Sequence, residues 1–113
     1  MIRAALACFG LALATPANAQ DSLRCAALWA GYGDVARTSP YLDGADQARA
    51  EAARFRALAL RNGASKTETD AAIAAERPGM ALLIEALLRG DAQSRALFDR
   101  QMTLCAGLNI DKD

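Results

Sequence analysis

The sequence predicts an all-α fold, a small up-down four-helix bundle closed by one disulfide, and three observations predict it. Apolar residues recur at three- and four-residue steps through four segments, Gly, Pro, Asn and Asp punctuate the joins between them, and two cysteines lie near the outer ends of the set. No segment after the N-terminal stretch alternates apolar and polar residues as a half-buried strand does.

The N-terminal stretch is read separately from the fold. Met1-Ile2-Arg3 is a short positive start, Ala4 to Leu13 is apolar, and Pro16 precedes Ala17-Asn18-Ala19, an A-x-A cleavage signal. Residues 1–19 are therefore expected to be a signal peptide, and residues 20–113 a single helical domain of 94 residues. The apolar run stops at Pro16, short of the roughly 20 residues a spanning helix needs, so no membrane anchor is expected. Cys8 sits in the middle of that run, where a lipid-anchoring cysteine would not, and leaves with the peptide; no twin-arginine pair occurs. Removal of the peptide would expose Gln20, a residue able to cyclise to pyroglutamate. The expected localisation is export, to the periplasm or the medium.

The first helix is expected from about Ser22 to Ala36, with Asp21 or Ser22 as N-cap and Leu23, Leu28, Trp29, Tyr32 and Val35 inward. Thr38-Ser39-Pro40 stops it, since proline drives the residue before it out of helical geometry, and Tyr41 to Gly44 read as a turn. The second helix spans about Ala45 to Arg61, with Ala48, Ala52, Phe55 and Ala59 on one face and Asn62-Gly63 as its stop. Ser65 and Glu68 form the S-x-x-E pattern of a capping box, which opens the third helix. Its stripe of Ile73, Met80, Leu83, Ile84 and Leu87 is interrupted by Pro78-Gly79. Proline there cannot donate to the carbonyl of Ala74, so a kink or break is expected near Arg77. Gly90 closes that helix and Asp91 caps the fourth, about Ala92 to Ala106, with Leu97, Phe98, Gln101, Met102 and Cys105 on one side. Glu85 with Arg89 and Asp91 with Arg95 have the spacing of helix ion pairs.

An up-down-up-down order sets the start of the first helix beside the end of the fourth. Cys25 and Cys105 lie near those two points, so their pairing and the helix count agree although they are read independently. Many inward positions are alanine, which buries little surface, and a domain of this size has a small margin between burial and chain entropy. A staple closing such a long loop is worth about 4 to 5 kcal/mol in the chain-entropy model.

Composition narrows the function. Without Arg3 the chain carries 12 basic and 13 acidic residues, a near-neutral balance that argues against nucleic acid or an anionic membrane as partner. Histidine is absent, which removes histidine-dependent nucleophiles, acid-base pairs and metal sites; no catalytic residue, cofactor or metal is expected. The cysteines lack the C-x-x-C spacing of a thiol redox pair. Glu76 and Glu85, candidates for a carboxylate pair, are nine residues apart and would face opposite sides of a straight helix.

Two groups of residues remain as possible partner contacts. Arg49 and Arg56 are seven apart on one stripe of the second helix, and arginine suits carboxylate and phosphate recognition. Trp29 and Tyr32, with Gly31 and Gly33 beside the tyrosine, form either an exposed notch or a core tryptophan at a close helix crossing. The sequence thus leads to the expectation of a small exported, non-catalytic protein-binding module of inhibitor, immunity or chaperone type, its partner another envelope or secreted protein. The alternatives are a small-ligand carrier with a cavity near Trp29, Phe55 and Phe98, and a carboxylate-dependent enzyme or accessory subunit. In the chaperone version, acid turns a neutral protein strongly positive and opens it.

Overall fold

A computed structural model describes residues 16–108, which form four helices in up-down order and contain no strand. They are α1 (Ala17–Thr38), α2 (Ala45–Arg61), α3 (Lys66–Leu88) and α4 (Ala92–Gly107). The signal peptide expected over residues 1–19 falls mostly outside the described residues, as does Cys8.

The start of α1 differs from the sequence expectation. Pro16, not Asp21 or Ser22, is the N-cap, and Ala17, Asn18 and Ala19 are already helical. Alanine is the best helix former, and Ala19 is fully buried beside Leu23, Ala59 and Ala64, so packing extends the helix backwards by a turn. Ser22 does not cap. It is buried within the helix, where its Oγ donates to the carbonyl of Asn18 at 2.9 Å. The other end follows expectation, with Ser39 extended before Pro40.

Gly44 opens α2 at φ 92°, a left-handed conformation that an L side chain rarely adopts, and Gly63 closes the α2–α3 turn at φ 108°. The capping box of α3 is present in full. Glu68 N–H donates to Ser65 Oγ, and Ser65 N–H to Glu68 Oε1, both at 3.1 Å. Asp91 caps α4 through Oδ2, which accepts from Ser94 N–H at 2.9 Å and Ser94 Oγ at 2.6 Å. Arg95 pairs with Asp99 at 3.7 Å and not with Asp91.

The break expected at Pro78 does not occur, and α3 runs unbroken through it. Ala74, Ala75, Pro78 and Gly79 are all exposed, so the carbonyl that loses its donor faces solvent. Fully buried Ile84 and half-buried Ile73 and Met80 anchor the helix on both sides of the proline.

The bundle is centred on α1. Cys25, Ala26, Ala27 and Leu28 are consecutive and have no exposed surface, which requires neighbours all round that turn of helix. Leu28, Phe55 and Leu58 form the core with the disulfide, and Trp29, Phe98 and Met102 lean against it. By contrast α3 buries only Thr69 and Ile84, and α4 only Ser94 and Cys105. Leu97, expected inward, is exposed. The Cys25–Cys105 disulfide joins α1 to the end of α4, with the Cα atoms 5.8 Å apart. Thr69 is fully buried, and its Oγ1 has no hydrogen-bond partner among the described residues. Thr69→Val removes that stranded hydroxyl while keeping the side chain's shape; thermal denaturation should show a gain of about 1 kcal/mol.

Candidate functional site

Helices α2 and α3 both pack closely on α1 but meet each other little, so the wedge between them stays open over one side of α1. Small residues floor the wedge: Ala26, Ala30 and Gly33 from α1, and Ala45, Ala52 and Ala53 from α2. Side chains of that size cannot fill the space between diverging helices, and a groove of about 190 Å³ remains. Trp29 and Ile73 supply its larger apolar walls.

Its polar lining is four arginines and one aspartate: Arg37, Arg49, Arg56, Arg77 and Asp34. Asp34 is the organising group. Arg77 reaches across from α3 and donates through Nε and Nη2, both at 2.6 Å, while Arg37 donates from the next turn of α1 at 3.0 Å. The paired Arg77 guanidinium holds the Asp34 carboxyl below the ordinary carboxylate range, against the opposing effect of partial burial, and the charge of Arg37 adds to it. Arg56 makes a second two-point pair, with Asp70 of α3 at 2.9 and 3.3 Å, and Lys66 lies 3.5 Å from the same carboxylate. Arg49 differs from the rest. Its nearest acid, Asp46, is 3.9 Å away, and it makes no hydrogen bond among the described residues. Five guanidinium donors are thus left to solvent or to a ligand at the rim of an apolar floor.

Of the residues singled out in the sequence, Arg49, Arg56 and Trp29 come together in this groove. Tyr32 does not join them. It lies on the next side of α1, its ring 5.4 Å from that of Trp29 at 55°, and its hydroxyl donates to the carbonyl of Asp43 at 3.5 Å. The depression beside Tyr32 has acids, Asp43 and Glu51, in its lining and no cation. A third groove, between α2 and α4, is lined by Trp29 and Phe55 with Met102 and Cys105; Phe98 is packed in the core but does not line it. Asp34 and Arg37 were not foreseen as members of a site. Arg77 lies 43 residues from Asp34, so only the packing of α3 on α1 brings the two together.

The Asp34 pair ties α3 to α1 and carries a pH dependence. A carboxyl whose pKa is lower in the folded than in the unfolded chain stabilises the fold above the unfolded pKa, and that contribution disappears as pH falls through the folded one. Asp70, held low by Arg56, and Asp91, held low by Ser94, act in the same direction. Urea midpoints should therefore be level near neutrality and fall below the ordinary carboxylate range. Asp34→Asn should cost about 0.5 to 1 kcal/mol at neutral pH, as suits a pair that remains partly exposed, and the cost should vanish in acid.

Comparison with protein-family models, with curated proteins and with solved structures finds no match to this chain. Among the described residues no helix is long and apolar enough to cross a membrane, and no group of three or more metal-binding side chains is gathered.

Proposed function

We propose that this protein is a small exported, non-catalytic protein-binding module, of inhibitor, immunity or chaperone type, and that the groove between α2 and α3 is its recognition point. The observation that carries this reading is the lining itself. In a chain with no formal net charge, four guanidinium groups and one carboxylate surround an apolar floor. Opposite charge on a partner steers encounter and fixes register, and arginine beside tryptophan is the composition of interface hot spots. The partner is accordingly another envelope or secreted protein with an acidic contact surface.

The Cys25–Cys105 disulfide supports an oxidising, non-cytoplasmic compartment. Cleavage after Ala19 would remove the first turn of α1, the buried Ala19 and the Asn18 carbonyl with it, so the processed domain starts its helix at about Asp21.

The test is capture from the protein's own envelope fraction with the processed chain and with Arg49→Glu as bait. Arg49 is well exposed and only 3.9 Å from Asp46 in a solvated pair, so the charge reversal removes no hydrogen bond and circular dichroism should show an unchanged fold. The expected result is an acidic partner retained by the first bait and weakened at least about tenfold by the second, with salt weakening the wild-type complex. Recovery of nothing specific, or equal recovery by both baits, overturns the reading.

A further inference from the structure

We infer that the groove accepts a free monocarboxylic acid with a compact apolar body, its carboxylate on Arg49 and its body on the alanine floor beside Trp29. This rests on the assignment of the groove as recognition site, and names the chemistry it selects.

Volume sets the first limit. The groove holds about 190 Å³, somewhat more than the roughly 150 Å³ that encloses a benzene molecule, and far less than a helix about 10 Å across requires. A ring or a branched chain fits it; a polypeptide segment can offer it only one side chain. The floor sets the second limit, since the methyl groups of Ala30 and Ala52 and the backbone at Gly33 present almost nothing to hydrogen-bond. The buried part of a ligand is therefore apolar.

The rim sets the sign of the remaining part. Arg56 and Arg77 are already engaged in two-point pairs with Asp70 and Asp34, and Arg37 shares Asp34. Arg49 alone of the four makes no hydrogen bond among the described residues, and a carboxylate is the planar two-oxygen group that matches its paired N–H edges. The charge of its neighbours adds attraction without competing for the same oxygens. A single negative charge suffices, because Asp34, Asp46 and Asp70 already neutralise most of the surrounding positive charge.

Trp29 is the chain's single tryptophan and lines this groove and the two beside it, so its fluorescence reports binding, and variants at Arg49 and Ala30 locate it. Phenylacetate is the probe, with phenylacetamide and acetate as controls for charge and for the apolar body, on wild type, Arg49→Gln and Ala30→Leu. The first variant removes the exposed guanidinium, and the second fills the floor while keeping every arginine. A saturable Trp29 response to phenylacetate with Kd on the order of 1 mM or tighter, at least tenfold weaker in Arg49→Gln and lost in Ala30→Leu, supports the inference. No saturable response overturns it, as does equal binding of the amide, which means an apolar slot only, or of acetate, which means diffuse attraction. If phenylacetate fails while Arg49→Glu still releases a captured protein, this inference falls and the protein-docking reading stands. If phenylacetate binds as described and nothing is captured, the converse holds.

Discussion

Replacing Cys25 and Cys105 together by serine is expected to lower the unfolding free energy by about 4 to 5 kcal/mol, the chain-entropy value for a loop of this length. A domain of this size has about 5 to 10 kcal/mol in total, so the apparent melting temperature should drop by roughly 20 °C or more. The burial pattern says where the damage concentrates. Helix α4 buries only Ser94 and Cys105, with Phe98 and Met102 half-buried against the core, so the disulfide is a large share of what holds it. In the double serine variant, amide exchange should accelerate first in Ala92–Gly107, while α1 and α2, which share Leu28, Phe55 and Leu58, keep their protection longer. Reduction of the wild type should reproduce the pattern. A loss below about 1 kcal/mol, or uniform loss of protection, would mean that α4 is held by packing and the staple is incidental.

Acid adds a second, smaller lever on the same architecture. The Asp34–Arg77 pair is a side-chain tie between α1 and α3 on the open side of the bundle, and its loss at low pH is expected to loosen the groove before the core. The chaperone version of the binding proposal needs that kind of opening. Dye binding that stays flat down to about pH 2 would count against that version alone.

Periodicity and punctuation made the helix order legible because each helix signals locally. The Ser65–Glu68 box, the Asp91 cap and the Gly63 stop depend on residues within a turn of one another, and all are found where the sequence places them. The start of α1 was not legible, because Ala19 is helical through contact with Ala59 and Ala64, some forty residues away. Pro78 misled for the opposite reason. Solvent around Ala74 and the anchors at Ile73, Met80 and Ile84 let the helix continue through it. The site was half visible: the spacing of Arg49 and Arg56 puts them on one stripe of α2, whereas Asp34, Arg37 and Arg77 acquire meaning only once α3 lies along α1.

Gly31→Ala is expected to destabilise the protein by roughly 1 to 3 kcal/mol, although glycine to alanine inside an exposed helix gains about 1 kcal/mol. The reversal comes from the α1–α3 crossing. A Cβ on Gly31 would stand 2.7 Å from Met80 Cβ, 2.8 Å from the Ala81 nitrogen and 3.0 Å from the Arg77 carbonyl oxygen. Two of those three atoms are backbone, so no rotamer change relieves the clash and α3 has to move away from α1. Gly33, two residues on, is the internal control. A Cβ there would lie 3.6 Å from Ala48 Cβ and 3.7 Å from the Ala45 carbonyl oxygen, ordinary contact distances, so Gly33→Ala should stabilise by about 0.5 to 1 kcal/mol. Denaturant titration of the two variants should therefore give shifts of opposite sign. If Gly31→Ala is neutral or stabilising, the crossing is looser than these distances require. The groove would lose its fixed width with it, since the same crossing sets how far Arg77 stands from Asp34 and how wide the wedge over Ala30 opens.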